Sequence, residues 1–248
     1  MSDKTPATDS FHAPHVLPGS GAMFDRIAGR YDLLNRVLSL GIDRRWRRRA
    51  VARLQLGPGA HALDLATGTA DLAIEMARQQ PAAQIEALDP SRNMLAVAKQ
   101  KLAHRQLHTR IRLSVAAAES LPFASATFDG VAIAFGIRNV PDRIRGLREM
   151  ARVTRAGGRV VILELTEPRG SWLTPLARIW VHRVVPSIGA LLSGAREYRY
   201  LEGSIAAFPA RDEFESMMRT AGLQPLETIS LFCGVATIFV ATPRAAGS

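Results

Sequence analysis

The chain reads as an α/β protein built on a doubly wound, mostly parallel sheet, and three observations predict it. Short runs at 61–65, 84–88, 111–116, 130–135 and 159–165 are apolar on both faces and bounded by turn residues, the signature of strands buried on both sides. Helical periodicity fills the gaps at about 70–79, 92–104 and 142–154. This regular β-α alternation places helices on both faces of the sheet and ligands at the carboxyl ends of its strands. A further helix near 210–221, closed by Gly222, and late strands near 223–230 and 235–241 bring the expected sheet to seven strands.

The flanking segments have their own logic. Residues 1–20 carry neither the apolar core of a secretory signal nor the arginine-rich, acid-poor character of a transit peptide, so they read as a flexible leader to one domain at 21–248. Residues 22–55 hold apolar groups at helical spacing (Phe24, Ile27, Tyr31, Leu34, then Trp46, Val51, Leu54), and Gly41 separates two helices. The second contains Arg44, Arg45, Arg47, Arg48 and Arg49, either a solvated face or a surface for anionic phosphate or lipid head groups. The apolar stretch at 170–195 is broken by Arg178, His182, Arg183 and Pro186, which makes it a poor membrane span. It fits a helical cap over a substrate pocket, with the capping region running to about 205, or an interfacial element.

Composition narrows the function. The 248 residues carry a net charge of +10 and 47% hydrophobic side chains, which excludes a wholly disordered chain and asks for an acidic partner or substrate. Aromatic residues are only 6%, so stacking platforms for single-stranded nucleic acid would be sparse. The lone Cys233 excludes a disulfide framework within the chain and multi-cysteine metal sites. His12, His15, His61, His104 and His108 form no grouping with metal-ligand spacing, so no metal is expected. No long uncharged apolar run appears, so no transmembrane helix is expected either.

The most informative segment is residues 63–71, LDLATGTAD, a strand that runs into a small-residue turn and then a helix. Small residues admit a ligand to the backbone, and the helix N-terminus offers unpaired N–H groups. Asp89 ends the next strand, where a carboxylate can accept both hydroxyls of a ribose. A dinucleotide turn needs glycines at three places, and this one supplies only Gly68. Asp64 and Asp71 would oppose a pyrophosphate but favour a ligand that carries a sulfonium and an ammonium.

This run resembles motif I of class I S-adenosylmethionine-dependent methyltransferases, which have a Rossmann-like fold. Other stretches are similar to one family among them, the ubiquinone/menaquinone biosynthesis C-methyltransferases: residues 23–35 (MFDRIAGRYDLLN), 39–42 with Trp46, 118–123 (AESLPF), 135–140 (FGIRNV), and 198–205 (YRYLEGSI) with Phe208-Pro209. The resemblance covers about residues 22–240, and the FGIRNV run is its most specific part. Four positions depart from the pattern: Ala70 stands for a usual glycine, Ala117 for an asparagine or aspartate, Ala134 for a serine and Asp43 for a histidine.

The resemblance implies S-adenosyl-L-methionine as cofactor, held by Thr69 and Asp89, with Asp64 and Gly68 shaping the turn, Ala118 offering backbone to the adenine, and Ala117 and Ala134 beside it. Arg138 and Asn139, with Tyr31, would line the reacting end. The implied reaction is C-methylation of a prenylated quinol, demethylmenaquinol first and a methoxy-benzoquinol of ubiquinone synthesis as the runner-up, with methylation of another aromatic natural product as a further alternative. Such an enzyme is expected in the cytoplasm, touching the anionic inner face of the membrane through the arginine helix; monomer and homodimer both remain open. Nucleic acid is not an expected partner. A basic nucleic-acid-binding module or a catalytically inactive protein of this fold are the competing classes.

Overall fold

The structure, a computed structural model, describes Ala28, Ser39 and residues 41–167 and 195–244, with only the backbone at 195–199 and 201. The leader, the first N-terminal helix with Tyr31, and the segment 170–194 with His182 lie outside the described residues.

Helix α1 (Asp43–Leu54) precedes strand β1 (His61–Leu65), followed by α2 (Asp71–Gln79), β2 (Gln84–Asp89), α3 (Arg92–His104) and β3 (Ile111–Val115). The second half runs β4 (Phe128–Ala134), α4 (Arg143–Val153), β5 (Thr154–Leu165), α5 (Ala195–Ala206), α6 (Arg211–Thr220), β6 (Leu223–Leu231) and β7 (Ala236–Pro243). They form one seven-stranded sheet of order β3-β2-β1-β4-β5-β7-β6. All neighbours are parallel except β7, which runs antiparallel to both β5 and β6. The doubly wound, mostly parallel sheet expected from the alternation is therefore the observed one.

Alternation along each strand sends side chains to two separate cores. Trp46, Ala50, Val51 and Leu54 of α1 pack with Ala73 and Met76 of α2 and Leu102 of α3 on one face. Leu147, Met150 and Val153 of α4 and Phe214 and Met218 of α6 cover the other. In β5, Val161 and Leu163 point into the first core and Val160 and Ile162 into the second.

Two boundaries differ from expectation for a physical reason. Strand β5 begins five residues earlier than the apolar pattern, at Thr154, and includes Gly157 and Gly158. A glycine pair reads as a break, yet here it permits a register shift against β4: a Cβ on Gly158 would sit 2.7 Å from the Asp129 carbonyl. At β4, Phe135 leaves the strand in the left-handed region, with φ of 58°, and swings the chain into the short 3-10 turn Ile137–Asn139.

Helix α1 also sorts the arginine cluster. Arg44, Arg45, Arg48 and Arg49 are exposed, whereas Arg47 is buried, ion-paired to Asp43 one turn back, with its guanidinium 5.1 Å from the centre of the Phe135 ring. The helix period explains the split, because Arg47 shares the inward stripe with Trp46, Ala50 and Leu54. Asp43, which departs from the family pattern, also accepts a hydrogen bond from Ser39 Oγ at 2.8 Å.

Candidate active site

The strand order reverses at β1, between β2 and β4, and the loops leaving these strands diverge there. The result is a cleft of about 320 Å³ at the carboxyl edge of the sheet. The β1 loop contributes Ala66 and Gly68; Asp89, Ser91 and Met94 follow β2. Ala116 to Glu119 come after β3, and Phe135, Gly136, Asn139 and Val140 after β4. Four loops thus meet at one place, which the β-α alternation alone dictates.

The turn after β1 is held by short polar links. Asp89 accepts hydrogen bonds from the Gly68 N–H and the Ser91 N–H, both at 2.8 Å, tying the first two loops together. A carboxylate fixed by two amides still has lone pairs for vicinal hydroxyls. Ser91 in turn caps α3, its Oγ accepting from the Met94 N–H at 3.1 Å. Ala70 adopts φ of 68°, so the turn takes the left-handed conformation usual for glycine even though a methyl group stands there.

Asp64 lies beneath this turn, 1% exposed. Its Oδ2 accepts from Thr67 Oγ1 at 2.5 Å and from the Ala73 N–H at 3.0 Å, while its Oδ1 is buried with no hydrogen-bond partner. Loss of solvation pushes the carboxyl up from an ordinary 3.8 to about 7, against the lowering pull of Thr67, Ala73 and the Arg47 charge. An orphaned buried acid beside a nucleoside cleft suits a cationic ligand, because a positive charge nearby returns it to the ionised form.

Thr69 is buried and accepts from Lys101 Nζ at 3.0 Å; the same ammonium pairs with Asp71 at 2.7 Å. Ala117 is exposed on the cleft and Ala118 half-buried there, whereas Ala134 packs into the core of the first face and is not among the lining residues.

The 3-10 turn after β4 carries the rest of the cleft wall. Asn139 lines the cleft, and its Oδ1 accepts from the Tyr200 hydroxyl at 3.0 Å, which brings α5 to the turn. Arg138 is 6% exposed and lies behind the wall. Its Nη1 donates to the Phe135 carbonyl at 2.8 Å and to Glu164 Oε1 at 2.5 Å, while its backbone N–H donates to Glu164 Oε2 at 3.1 Å. Asp142, the nearest acid along the chain, is not its partner and instead caps α4, accepting from the Arg145 N–H at 2.9 Å.

Of the residues marked from the sequence, the cleft gathers Gly68, Asp89, Ala117, Ala118 and Asn139. Asp64, Thr69 and Arg138 stand directly behind it. Sequence reasoning passed over Glu164, Tyr200 and Lys101. Glu164 had a readable signal: a single acid inside the apolar run 160–165 must be paired if that strand is buried.

The donor set fits S-adenosyl-L-methionine: Asp89 for a ribose, the Ala116–Glu119 loop for a base, and the orphaned acid Asp64 for a cation. Comparison with known proteins agrees. A methyltransferase solved in complex with the Haloferax volcanii Trm112 methyltransferase activator is 17% identical, with a TM-score of 0.67 over 93% of this chain and all of that one. A SAM-dependent methyltransferase from Aquifex aeolicus is 14% identical, with a TM-score of 0.59 over 79% of this chain and 88% of that one. These establish the class I, Rossmann-like fold.

Sequence relatives reach further. The ubiquinone/menaquinone biosynthesis C-methyltransferase UbiE of Geotalea uraniireducens is 46% identical over 88% of this chain and 93% of its own length. The demethylmenaquinone methyltransferases of Deinococcus radiodurans and Thermus thermophilus are each 44% identical, over 90% and 88% of this chain and 91% and 98% of their own lengths. Residues 19–243 match the family model described as ubiE/COQ5 methyltransferase, and with S-adenosyl-L-methionine as its cofactor the chain is a C-methyltransferase belonging to the ubiE/COQ5 methyltransferase family.

Proposed function

We propose that the protein methylates a ring carbon of a prenylated quinol, converting demethylmenaquinol to menaquinol. The observation that carries this reading is the charge stored behind the cleft wall: the buried Arg138 is ion-paired to the buried Glu164, and a second buried guanidinium, Arg143, is bonded to the Arg138 carbonyl and feels Glu164 through space, next to an apolar cleft. A fixed positive excess of this kind stabilises a phenolate as it forms on the acceptor, and a phenolate makes the adjacent ring carbon nucleophilic. The relatives named as demethylmenaquinone methyltransferases support the same substrate.

When bound, S-adenosylmethionine supplies an electrophilic methyl group on a sulfonium. Its chemistry would be transfer of that methyl to the acceptor ring carbon with the thioether as leaving group, and what is left to the chain is to place the acceptor and to receive the proton that the methylated carbon must lose. Asp89 would hold the ribose of the cofactor, with Asp64 acting from behind the turn through its charge; Asn139, with its Oδ1 occupied by Tyr200, would meet an acceptor oxygen as a donor through Nδ2. Arg138 acts through its field. A water held at Asn139 would take the ring proton, since no histidine or carboxylate in the 135–140 segment offers a base; Tyr31, expected to share this role, lies outside the described residues. The chain's main work is placement and water exclusion.

The test is methyl transfer to reduced demethylmenaquinone and to the reduced methoxy-benzoquinone precursor of ubiquinone, assayed side by side. Turnover of the first at the higher kcat/KM is the expected result. Preference for the second moves the assignment to ubiquinone synthesis, and turnover of neither, with the cofactor bound, overturns it.

A prenyl tail stays in lipid, so the enzyme has to work at a membrane surface. No helix among the described residues is long and apolar enough to cross one. Arg44, Arg45, Arg48 and Arg49 form an exposed basic strip of α1, each worth about 1 kcal/mol against anionic lipid. Replacing these four with glutamine is expected to reduce flotation with anionic vesicles more than tenfold while turnover of a short-tailed quinol is kept. Unchanged flotation would remove the strip from the account. Arg47 is excluded from it by its burial against Asp43.

A further inference from the structure

The penultimate residue of strand β5 is an acid that neither the nucleoside cleft nor the methyl acceptor uses directly. Glu164 is 0% exposed, deeper than any other charged residue described. Its Oε1 accepts from Arg138 Nη1 at 2.5 Å and from the Leu165 N–H at 2.8 Å, and its Oε2 accepts from the Arg138 backbone N–H at 3.1 Å. One carboxylate therefore grips Arg138 at both its main chain and its guanidinium. Arg143 adds a third tie, donating from Nη2 to the Arg138 carbonyl at 2.9 Å.

The pairing is asymmetric in charge. Arg138 and Arg143 both keep a buried Nε–H with no hydrogen-bond partner. Burial pulls the Arg143 guanidinium below its ordinary value, opposed by Glu164, Tyr200 and the exposed Glu213. A buried salt bridge is weak evidence for stability as such, since a well-packed apolar pair serves as well. Its position, where the turn meets the cleft, points to a role in placing charge.

We infer that Glu164 is a positioning residue for the methyl transfer: its carboxylate fixes Arg138, and with it the turn that carries Asn139 and Gly136, at the wall of the cleft. The inference rests on the quinol methylation proposed above and names a residue through which that site works. Glu164 touches no reacting atom. It sets where the positive field falls and how much of that field remains unneutralised.

A double-variant cycle tests this. Glu164→Gln keeps the shape but turns one acceptor into a donor facing Arg138, and is expected to lower kcat about tenfold or more while KM for S-adenosylmethionine changes less than about twofold. Removing the negative charge also leaves the guanidinium field stronger, so the acid limb of the pH–rate profile is expected to move down by about one pH unit. Arg138→Gln is expected to cost about 100-fold in kcat, the range for loss of one electrostatic stabiliser. Because Glu164 acts through Arg138, the double variant, in which both members of that ion pair are neutral while Arg143 stays cationic, is expected to be no worse than Arg138→Gln alone within about threefold.

Additive losses in the double variant would overturn the inference, as would Glu164→Gln with wild-type kcat and pH profile. A loss of kcat that is matched by equal losses of cofactor affinity and melting temperature would also overturn it, by reducing Glu164 to a structural residue. Wild-type protein that binds cofactor but methylates neither quinol would overturn the functional reading together with the inference, an outcome separated from the others because it needs no variant.

Discussion

Gly136→Ala is expected to weaken S-adenosylmethionine binding more than tenfold and to destabilise the fold by about 1–3 kcal/mol, the usual range for overpacking a filled site. A Cβ at position 136 would lie 2.7 Å from the Ala66 Cβ and 3.1 Å from Ile133 Cγ1. Ile133 can shift its side chain, but Ala66 is all backbone and methyl, and it stands in the cofactor turn with φ of 48°. The added methyl group therefore pushes directly on the loop that binds the nucleoside. Adding Ala66→Gly to the variant removes the opposing methyl and relaxes the left-handed backbone, so cofactor affinity is expected to return to within about threefold of wild type. Calorimetric titration of the single and double variants measures both effects; a Gly136→Ala protein of normal affinity would separate the FGIRNV turn from the cofactor loop.

The second large effect is a pH dependence from Asp64. Its carboxyl titrates near 7 when folded and near its ordinary value when unfolded, so between about pH 4 and pH 7 the folded state binds a proton that the unfolded chain has released. Stability is then greatest at the acid side of that window and falls as pH rises through it. At about 1.4 kcal/mol per unit the fall reaches about 4 kcal/mol by pH 7 and stops there. Glu75, Glu149 and Glu215 act with the opposite sign below this window, because their arginine and hydrogen-bond partners hold them under their ordinary value.

Asp64→Asn removes the Asp64 contribution alone, and urea denaturation at pH 5 and pH 8 is expected to show a much smaller drop than wild type. Cofactor binding should behave in the reverse sense. In wild type, affinity for the sulfonium cation rises as pH passes 7 and the carboxyl ionises, and binding near pH 7 releases a proton; in Asp64→Asn both effects vanish. Parallel stability curves for the two proteins would contradict the assignment.

The sheet was legible because its strands are buried on both faces, so apolar runs and helical periods alternate without ambiguity from 61 to 165. Boundaries failed where backbone freedom mattered more than hydropathy: the glycines at 157 and 158 sit within β5, and Phe135 bends out of β4 against the preference of an aromatic side chain. The cofactor turn was readable because few residue types tolerate a close ligand and a helix N-terminus together.

The partners of the charged residues were not readable in the same way. Arg138 is one residue among 32 basic ones, and spacing does not reveal that its acid lies on the neighbouring strand β5 at 164, 26 residues on, rather than nearby at 142. Arg47 likewise belongs to a run of similar arginines until the helix is wound and its side chain turns inward. Both arginines were separable only through burial, which depends on the packed fold. Lys101 joins the turn from α3, some 30 residues away, for the same reason.

The central claim is carbon methylation of a quinol at a site organised by buried charge. Its most direct test is a single-turnover reaction of the protein with S-adenosylmethionine labelled at the methyl carbon and reduced demethylmenaquinone, followed by NMR of the extracted product. The account predicts one label per turnover, bonded to ring carbon, with transfer slowed about 100-fold in Arg138→Gln while that variant still binds cofactor. A label on a ring oxygen, or no transfer from bound cofactor in the wild-type protein, would contradict it.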